Sequence, residues 1–254
     1  MGWTAALMAV ALLASGGCSR RAPAPAQTAE HDPLEIPQTP EGAVIWRGKT
    51  IFDHTPSQVQ GWRGDRLSCV DCHLKSGTQA FAAPMYGTAN DYPSFSARAR
   101  RTITLEERLQ ECFVRSENAP PPNAQGDVIQ PLVAYIHWLS RDELKDRAAT
   151  GRGYGDFPDL KGDAGRGRTL YAKKCAGCHG LEGAPNPATL SPLWGPESWN
   201  DGAGMNHAEV LAAFLLRNMP ADKPGTLSAQ EAMDIAKYVD SRTRPRFNKA
   251  YVKY

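Results

Sequence analysis

The sequence predicts a mainly α-helical chain of two tandem domains, and three observations carry that prediction. The pattern Cys-x-x-Cys-His occurs twice, as Cys69-Val-Asp-Cys72-His73 and Cys175-Ala-Gly-Cys178-His179. Each copy lies between an earlier and a later segment whose apolar residues recur at roughly helical spacing. Residues 141–161, between the two sets, are rich in Gly, Asp and Arg with little apolar periodicity, as an interdomain connection would be. Bulk properties agree: 254 residues, 41% hydrophobic and 22% charged, suit one or two globular domains and exclude a disulfide miniprotein or a disordered chain. With 29 basic and 27 acidic residues, the net charge of +2 supplies no field that would hold a nucleic acid backbone.

Residues 1–17 carry no charged side chain, and their apolar stretch, Ala5 to Ala14, is about ten residues long where a membrane span needs about twenty; the segment reads as an export signal. It runs into Cys18 through Ala14-Ser15-Gly16-Gly17, which resembles a bacterial lipoprotein signal whose Cys becomes the acylated N-terminus. Ser15 stands where an aliphatic residue is usual and no basic residue precedes the apolar stretch, so ordinary cleavage is the alternative. Both place the mature protein in the periplasm, with Cys18 a candidate lipid anchor. Residues 18–40 follow with an Ala-Pro-Ala-Pro run and scattered charge, too little apolar surface to offset ordering entropy, and are expected to be a flexible tether. Folded domains are expected over 41–155 and 156–254.

Helical segments upstream of the motifs are residues 41–54 and 163–174; those downstream are 128–139 and 228–241, the last opened by a capping box at Ser228 and Glu231. A further helix starts at a capping box formed by Thr104 and Glu107. On it Leu105, Leu109 and Phe113 form an apolar stripe, and Arg108, Cys112, Arg115 and Ser116, three or four positions apart, cluster beside that stripe.

Cys-x-x-Cys-His is the attachment motif of c-type haem. Two thiols three positions apart on a turn form thioethers to the two vinyl groups of one porphyrin, and the adjacent histidine lies against the iron. At this chain's Cys and His content one chance copy is expected in about three chains in a thousand, and two copies are rarer still. A zinc site would pair the two motifs, which stand about a hundred residues apart, and a redox dithiol would need a βαβ context that is missing. The order helix, motif, loop, late helix, met twice, resembles the mono-haem cytochrome c domain. In that domain the first and last helices cross and the haem completes a core too small to stand alone. Two covalently bound haem c groups are therefore expected: haem 1 on Cys69, Cys72 and His73, and haem 2 on Cys175, Cys178 and His179, the histidines ligating iron.

The sixth ligand sets the redox chemistry. For haem 2 the candidates are Met219, followed by Pro220 and about forty residues past His179, and Met205; Met219 is favoured because the proline fixes the loop that presents its thioether. The first domain offers Met85 and the unassigned Cys112. A thiol flanked by guanidinium groups has its thiolate stabilised, and a thiolate is both an iron ligand and a nucleophile. His54, His137 and His207 read as surface or packing residues.

The chain resembles the thiosulfate dehydrogenase family of di-haem cytochromes c, relatives of the haem subunit that binds thiosulfate in bacterial sulfur oxidation. The resemblance runs over about 41–254. It is carried by Cys72-His73-Leu74 with Gly77, Ala83-Pro84-Met85-Tyr86-Gly87, Tyr92-Pro93 and the arginines after it, Cys112-Phe113-Val114-Arg115-Ser116-Glu117-Asn118, Leu193-Trp194-Gly195-Pro196, Asn200 through Met205, and Asn218-Met219-Pro220. Two positions depart from the family pattern: Ala119 where glycine is expected, and Asn218 where lysine is. The resemblance implies that Cys112 ligates haem 1 and that Arg98, Arg108 and Ser116 line an anion site. It also implies oxidation of two thiosulfate to tetrathionate, run in either direction, with electrons leaving through haem 2 to a soluble cytochrome c or similar acceptor. Bidentate guanidinium groups suit sulfonate oxygens, so Arg98 and Arg108 lead, with Arg100, Arg101 and Arg115 behind them. The competing classes are a non-catalytic di-haem electron carrier, in which Cys112 is structural or a ligand only, and a di-haem peroxidase.

Overall fold

The computed structural model describes residues 1–2, 34–148, 150–184 and 190–252. Cys18 and nearly all of the expected export signal lie outside the described residues. Six longer helices carry the fold: α1 (Pro40–Asp53), α2 (Leu105–Ser116), α3 (Ile129–Leu139), α4 (Ala164–Lys174), α5 (Ala208–Asn218) and α6 (Ala229–Asp240). Two short antiparallel strands, β1 (Ser94–Ser96) and β2 (Arg101–Ile103), pair ahead of α2 with Phe95 opposite Thr102. Among the described residues no helix is long and apolar enough to cross a membrane.

The same crossing is built twice. In the first domain α1 packs on α3, and an added Cβ at Gly48 would stand 1.9 Å from the Pro131 carbonyl oxygen and 2.9 Å from Tyr135 Cβ. In the second, α4 packs on α6, and a Cβ at Gly167 would stand 1.9 Å from the Asp234 carbonyl oxygen and 2.9 Å from Tyr238 Cβ. Only a residue without a side chain lets the backbones approach so closely. Around the first crossing Ile51, Phe52, Leu132, Tyr135, Ile136 and Leu139 are buried; around the second, Tyr171, Met233, Ile235, Ala236 and Tyr238, with Trp194 tilted against Tyr171 and edge-on to Tyr238.

Local signals explain the helix boundaries. Thr39 caps α1 by accepting from the Gly42 amide at 3.1 Å, and Pro40 occupies the first turn, where a missing N–H costs nothing. Both expected capping boxes form, Thr104 with Glu107 at α2 and Ser228 with Glu231 at α6. Past the end of α2, Asn118 turns the chain with a φ of +52° that suits an asparagine, and the Ala119 amide returns to the Phe113 carbonyl at 2.9 Å. The left-handed position is thus Asn118, so Ala119 needs no glycine.

Three stretches differ from the sequence reading. Within the expected tether, Ile36 is buried and Leu34 packs on the first core, so the segment nearest α1 is docked. The expected connection at 141–161 begins with two single-turn helices, Asp142–Leu144 and Lys145–Ala148, and Leu144 is buried in the first core. Helix α5, before Met219, had no expectation; His207 supplies no capping bond to advertise it, and its identity rests on burial of Ala208, Leu211, Ala212 and Phe214.

The two helix pairs share one unit, Pro33–Tyr254. Leu67 and Ala82 of the first domain lie within the second domain's core, with Cys72 and Leu74 packed against it. Asn200, fully buried, donates from Nδ2 to the Val114 carbonyl and to Asn118 Oδ1, each at 2.8 Å, while its Oδ1 accepts from the Gly202 amide at 2.9 Å.

Candidate functional site

One cavity of about 270 Å³ gathers most of the residues singled out in the first domain. The Cys69–Asp71 turn and the residues after it place Cys69, Cys72 and His73 on its wall; α2 contributes Leu105, Arg108, Leu109, Cys112 and Ser116 from one face, at the spacing of a helical stripe. Met85, Tyr92 and Glu117 also line it, and Arg152 reaches it from the interdomain connection. His73 Nδ1 donates to the Ala83 carbonyl oxygen at 2.7 Å, which fixes the tautomer and leaves Nε2 as the nitrogen open to a metal. Burial holds the imidazole below its ordinary pKa, favouring the neutral, ligating form.

This arrangement fits a c-type haem: two thiols and an imidazole on one wall, a third thiol and an arginine on the α2 face. A buried carboxylate stands close by. Glu117 Oε1 accepts from Cys69 Sγ at 3.3 Å, its Oε2 has no partner, and burial pushes its carboxyl up to about 8. Asp65 is raised to about 8 by the same cause. Neither was found from the sequence, because a single acidic residue gives no local sign of its burial.

The arginines separate. Arg108 lines the cavity and pairs with Glu111 at 3.1 Å. Arg98 is exposed and outside the lining, though its charge acts on Cys112. Arg101 pairs with Glu107 at 2.8 Å, and Arg115 stacks on Phe247 at 4.3 Å, both away from the lining; Arg100 is exposed. The expectation that guanidinium groups dominate the Cys112 thiol is corrected: burial is the larger effect and raises its pKa, with Arg108 pulling the other way. His54, His137 and His207 are all exposed and line no part of the cavity.

In the second domain the turn Ala176–His179 follows α4, and the Tyr171 hydroxyl holds its end by donating to the Gly180 carbonyl at 2.8 Å. His179 Nδ1 is buried without a partner, and Cys175 and Cys178 are free thiols, a donor set that fits a second haem. Met205 is buried in the second core, and Met219 packs against that core at the end of α5. Asn218 is also buried, donating from Nδ2 to the Phe81 and Phe214 carbonyls, each at 3.0 Å.

Comparison with known proteins places both halves. Residues 57–144 match the family model for the SoxA/TsdA cytochrome c domain, and residues 162–239 match that for cytochrome c oxidase, cbb3-type, subunit III. The thiosulfate dehydrogenase of Allochromatium vinosum is 35% identical over 260 residues, covering 96% of this chain and 95% of that protein. The thiosulfate dehydrogenase of Stutzerimonas stutzeri is 35% identical over 218 residues, covering 84% and 71%. Among solved structures, thiosulfate dehydrogenase (TsdBA) from Marichromatium purpuratum in its as-isolated form superposes with a TM-score of 0.76 at 36% identity, covering 83% of this chain. This chain spans 48% of the length of that TsdBA chain.

Proposed function

The chain belongs to the thiosulfate dehydrogenase family of di-haem cytochromes c, and we propose that it oxidises two thiosulfate dianions to tetrathionate on the Cys112 sulfur, beside the first of two covalently attached haems. The observation that carries this reading is that Cys112, Arg108 and Ser116 face the same cavity as Cys69, Cys72 and His73. Cys69, Cys72 and His73 would hold one haem and Cys175, Cys178 and His179 the other, and each would supply one-electron acceptance, which two-electron sulfur oxidation needs twice. Cys112 and His73 would be the protein ligands of the first iron, and His179 with Met219 those of the second, Met205 being the rival.

Two dianions repel each other in water, so the site needs fixed positive charge, and Arg108, with Arg98 nearby, supplies it. The Ser116 hydroxyl, one turn along α2 from Cys112, is placed to donate to a sulfonate oxygen. The Cys112 thiolate forms a bond to the sulfane sulfur of one thiosulfate, giving Cys112-S-S-SO3⁻ and releasing two electrons. A second thiosulfate attacks that sulfane sulfur, the bond to Cys112 breaks, and tetrathionate leaves with the thiolate restored. Electrons exit through the second domain to a soluble cytochrome c or similar acceptor. The setting is the periplasm, with Cys18 as the lipid anchor.

The test is spectroscopic. Oxidised holoprotein mixed with thiosulfate should show haem reduction, and Cys112→Ala should abolish that reduction while both haems remain attached by mass. A Cys112→Ala protein reduced by thiosulfate at the unsubstituted rate overturns the catalytic reading and leaves an electron carrier.

A further inference from the structure

Tetrathionate has a sulfonate at each end, and Arg108 with Cys112 accounts for one end only. The wall of the cavity contributed by the interdomain connection offers another cation, Arg152. That stretch is held in place: the Phe81 amide donates to the Gly151 carbonyl at 2.7 Å and the Ala83 amide to the Gly153 carbonyl at 2.8 Å. Gly151 and Gly153 have φ of +66° and +60°, and a Cβ at Gly151 would meet Ala80 Cβ at 2.7 Å. The backbone that presents Arg152 is therefore docked on the loop whose Ala83 carbonyl receives the His73 imidazole.

The Arg152 side chain is half exposed and forms a two-point pair with Asp91, also half exposed, through both terminal nitrogens. Asp91 precedes Tyr92, a lining residue of the same cavity. A guanidinium at a cavity wall, matched among the described residues by an exposed carboxylate, can exchange that carboxylate for an incoming oxyanion. Its planar fork matches two sulfonate oxygens as it matches two carboxylate oxygens.

We propose that Arg152 is a second anion-binding arginine of the site, taking the sulfonate of the incoming second thiosulfate, with Asp91 as the counter-anion that competes for it. This rests on the thiosulfate reading above. It gives the two residues opposite effects, whereas an ion pair that merely braces the connection gives both the same effect.

The experiment measures KM and kcat for thiosulfate in the holoprotein and in Arg152→Ala, Arg152→Lys and Asp91→Asn. The expected result is a KM raised about tenfold in Arg152→Ala with kcat changed less than threefold, the scale of one screened charge-assisted contact. Arg152→Lys should recover part of the loss, and Asp91→Asn should lower KM about two- to threefold. An Arg152→Ala KM within twofold of the unsubstituted protein overturns the proposal, as does an Asp91→Asn KM that rises with that of Arg152→Ala. If thiosulfate fails to reduce the unsubstituted protein, the thiosulfate reading falls and this proposal falls with it, a result distinct from both.

Discussion

Replacing Gly167 by alanine tests the repeated helix crossing directly. The new Cβ would lie 1.9 Å from the Asp234 carbonyl oxygen, against an ordinary carbon–oxygen contact of about 3.4 Å, so the α4 and α6 backbones must part by about 1.5 Å. The obstructing atom is main chain and cannot rotate away, which puts the strain at the upper end of overpacking, about 3 kcal/mol. Alanine's better helix propensity returns about 1 kcal/mol, leaving a net loss of about 2 kcal/mol. For a chain of this size that lowers Tm by about 4–8 °C. Gly48→Ala, with its Cβ equally close to the Pro131 carbonyl, should behave alike in the first domain. Gly165→Ala is the control on the same helix: its Cβ meets only Asp163 Oδ1, at 3.2 Å, so Tm should stay level or rise slightly. Thermal unfolding of the holoproteins followed by circular dichroism reads all three, and a Gly167→Ala Tm equal to or above the unsubstituted value would refute the close-crossing argument.

Two further outcomes follow from buried polar groups. Asp234 accepts from Arg166 Nε at 2.7 Å and a second guanidinium nitrogen at 2.9 Å, and from the Asp163 amide and Gln230 at 2.8 and 2.9 Å. Burial pushes its carboxyl up, but these donors together hold it below its ordinary value, so its stabilisation is present above the unfolded pKa of about 3.9 and is lost as pH falls through the lower folded value. Asp234→Asn should cost about 1–2 kcal/mol at pH 7, the exposed Arg166 keeping it modest, and should flatten the acid limb of a denaturation profile; an unchanged acid limb contradicts the assignment. Asn200→Ala strands the buried Val114 carbonyl, worth about 1–3 kcal/mol when unsatisfied, and releases the half-buried Gly202 amide, and should lower Tm by about 5–10 °C. A shift below 2 °C in a calorimetric scan would show that water replaces the asparagine.

What the sequence revealed was local. The two Cys-x-x-Cys-His motifs, the capping boxes at Thr104 and Ser228, and the stripe carrying Arg108, Cys112 and Ser116 each lie within a few consecutive turns, and the structure builds each of those helices and puts the stripe on the cavity. What it hid depends on distant chain meeting distant chain. Arg152 joins Cys112 only because amides at 81 and 83 capture the carbonyls at 151 and 153. Glu117 follows the Cys112 helix in sequence, but its burial is set by Thr55 and Cys69. Burial also reverses the thiol shift expected from neighbouring arginines, since charge is legible in sequence and desolvation is not.

Several of the distinctive motif residues lie between the domains rather than in the cavity. Asp71, inside the first haem motif, accepts from the Ser191 hydroxyl of the second domain at 2.5 Å. Asn118 donates to the Ser198 carbonyl at 3.1 Å, Asn200 closes on Val114 and Asn118, and Asn218 reaches the Phe81 carbonyl two residues before the one that holds His73. Each bond ties a segment that carries a proposed haem-binding residue in one domain to backbone or side chain in the other. Electron tunnelling weakens steeply with separation, so a two-haem enzyme needs a fixed distance between cofactors more than it needs any single contact to them. Leu67, Ala82, Cys72 and Leu74 supply the shared apolar packing that makes such bonds dry and directional, and the asparagines supply the register. Asn218, where the resemblance led to the expectation of lysine, fits this role: its amide is committed to two carbonyls, so the residue beside Met219 serves the interface.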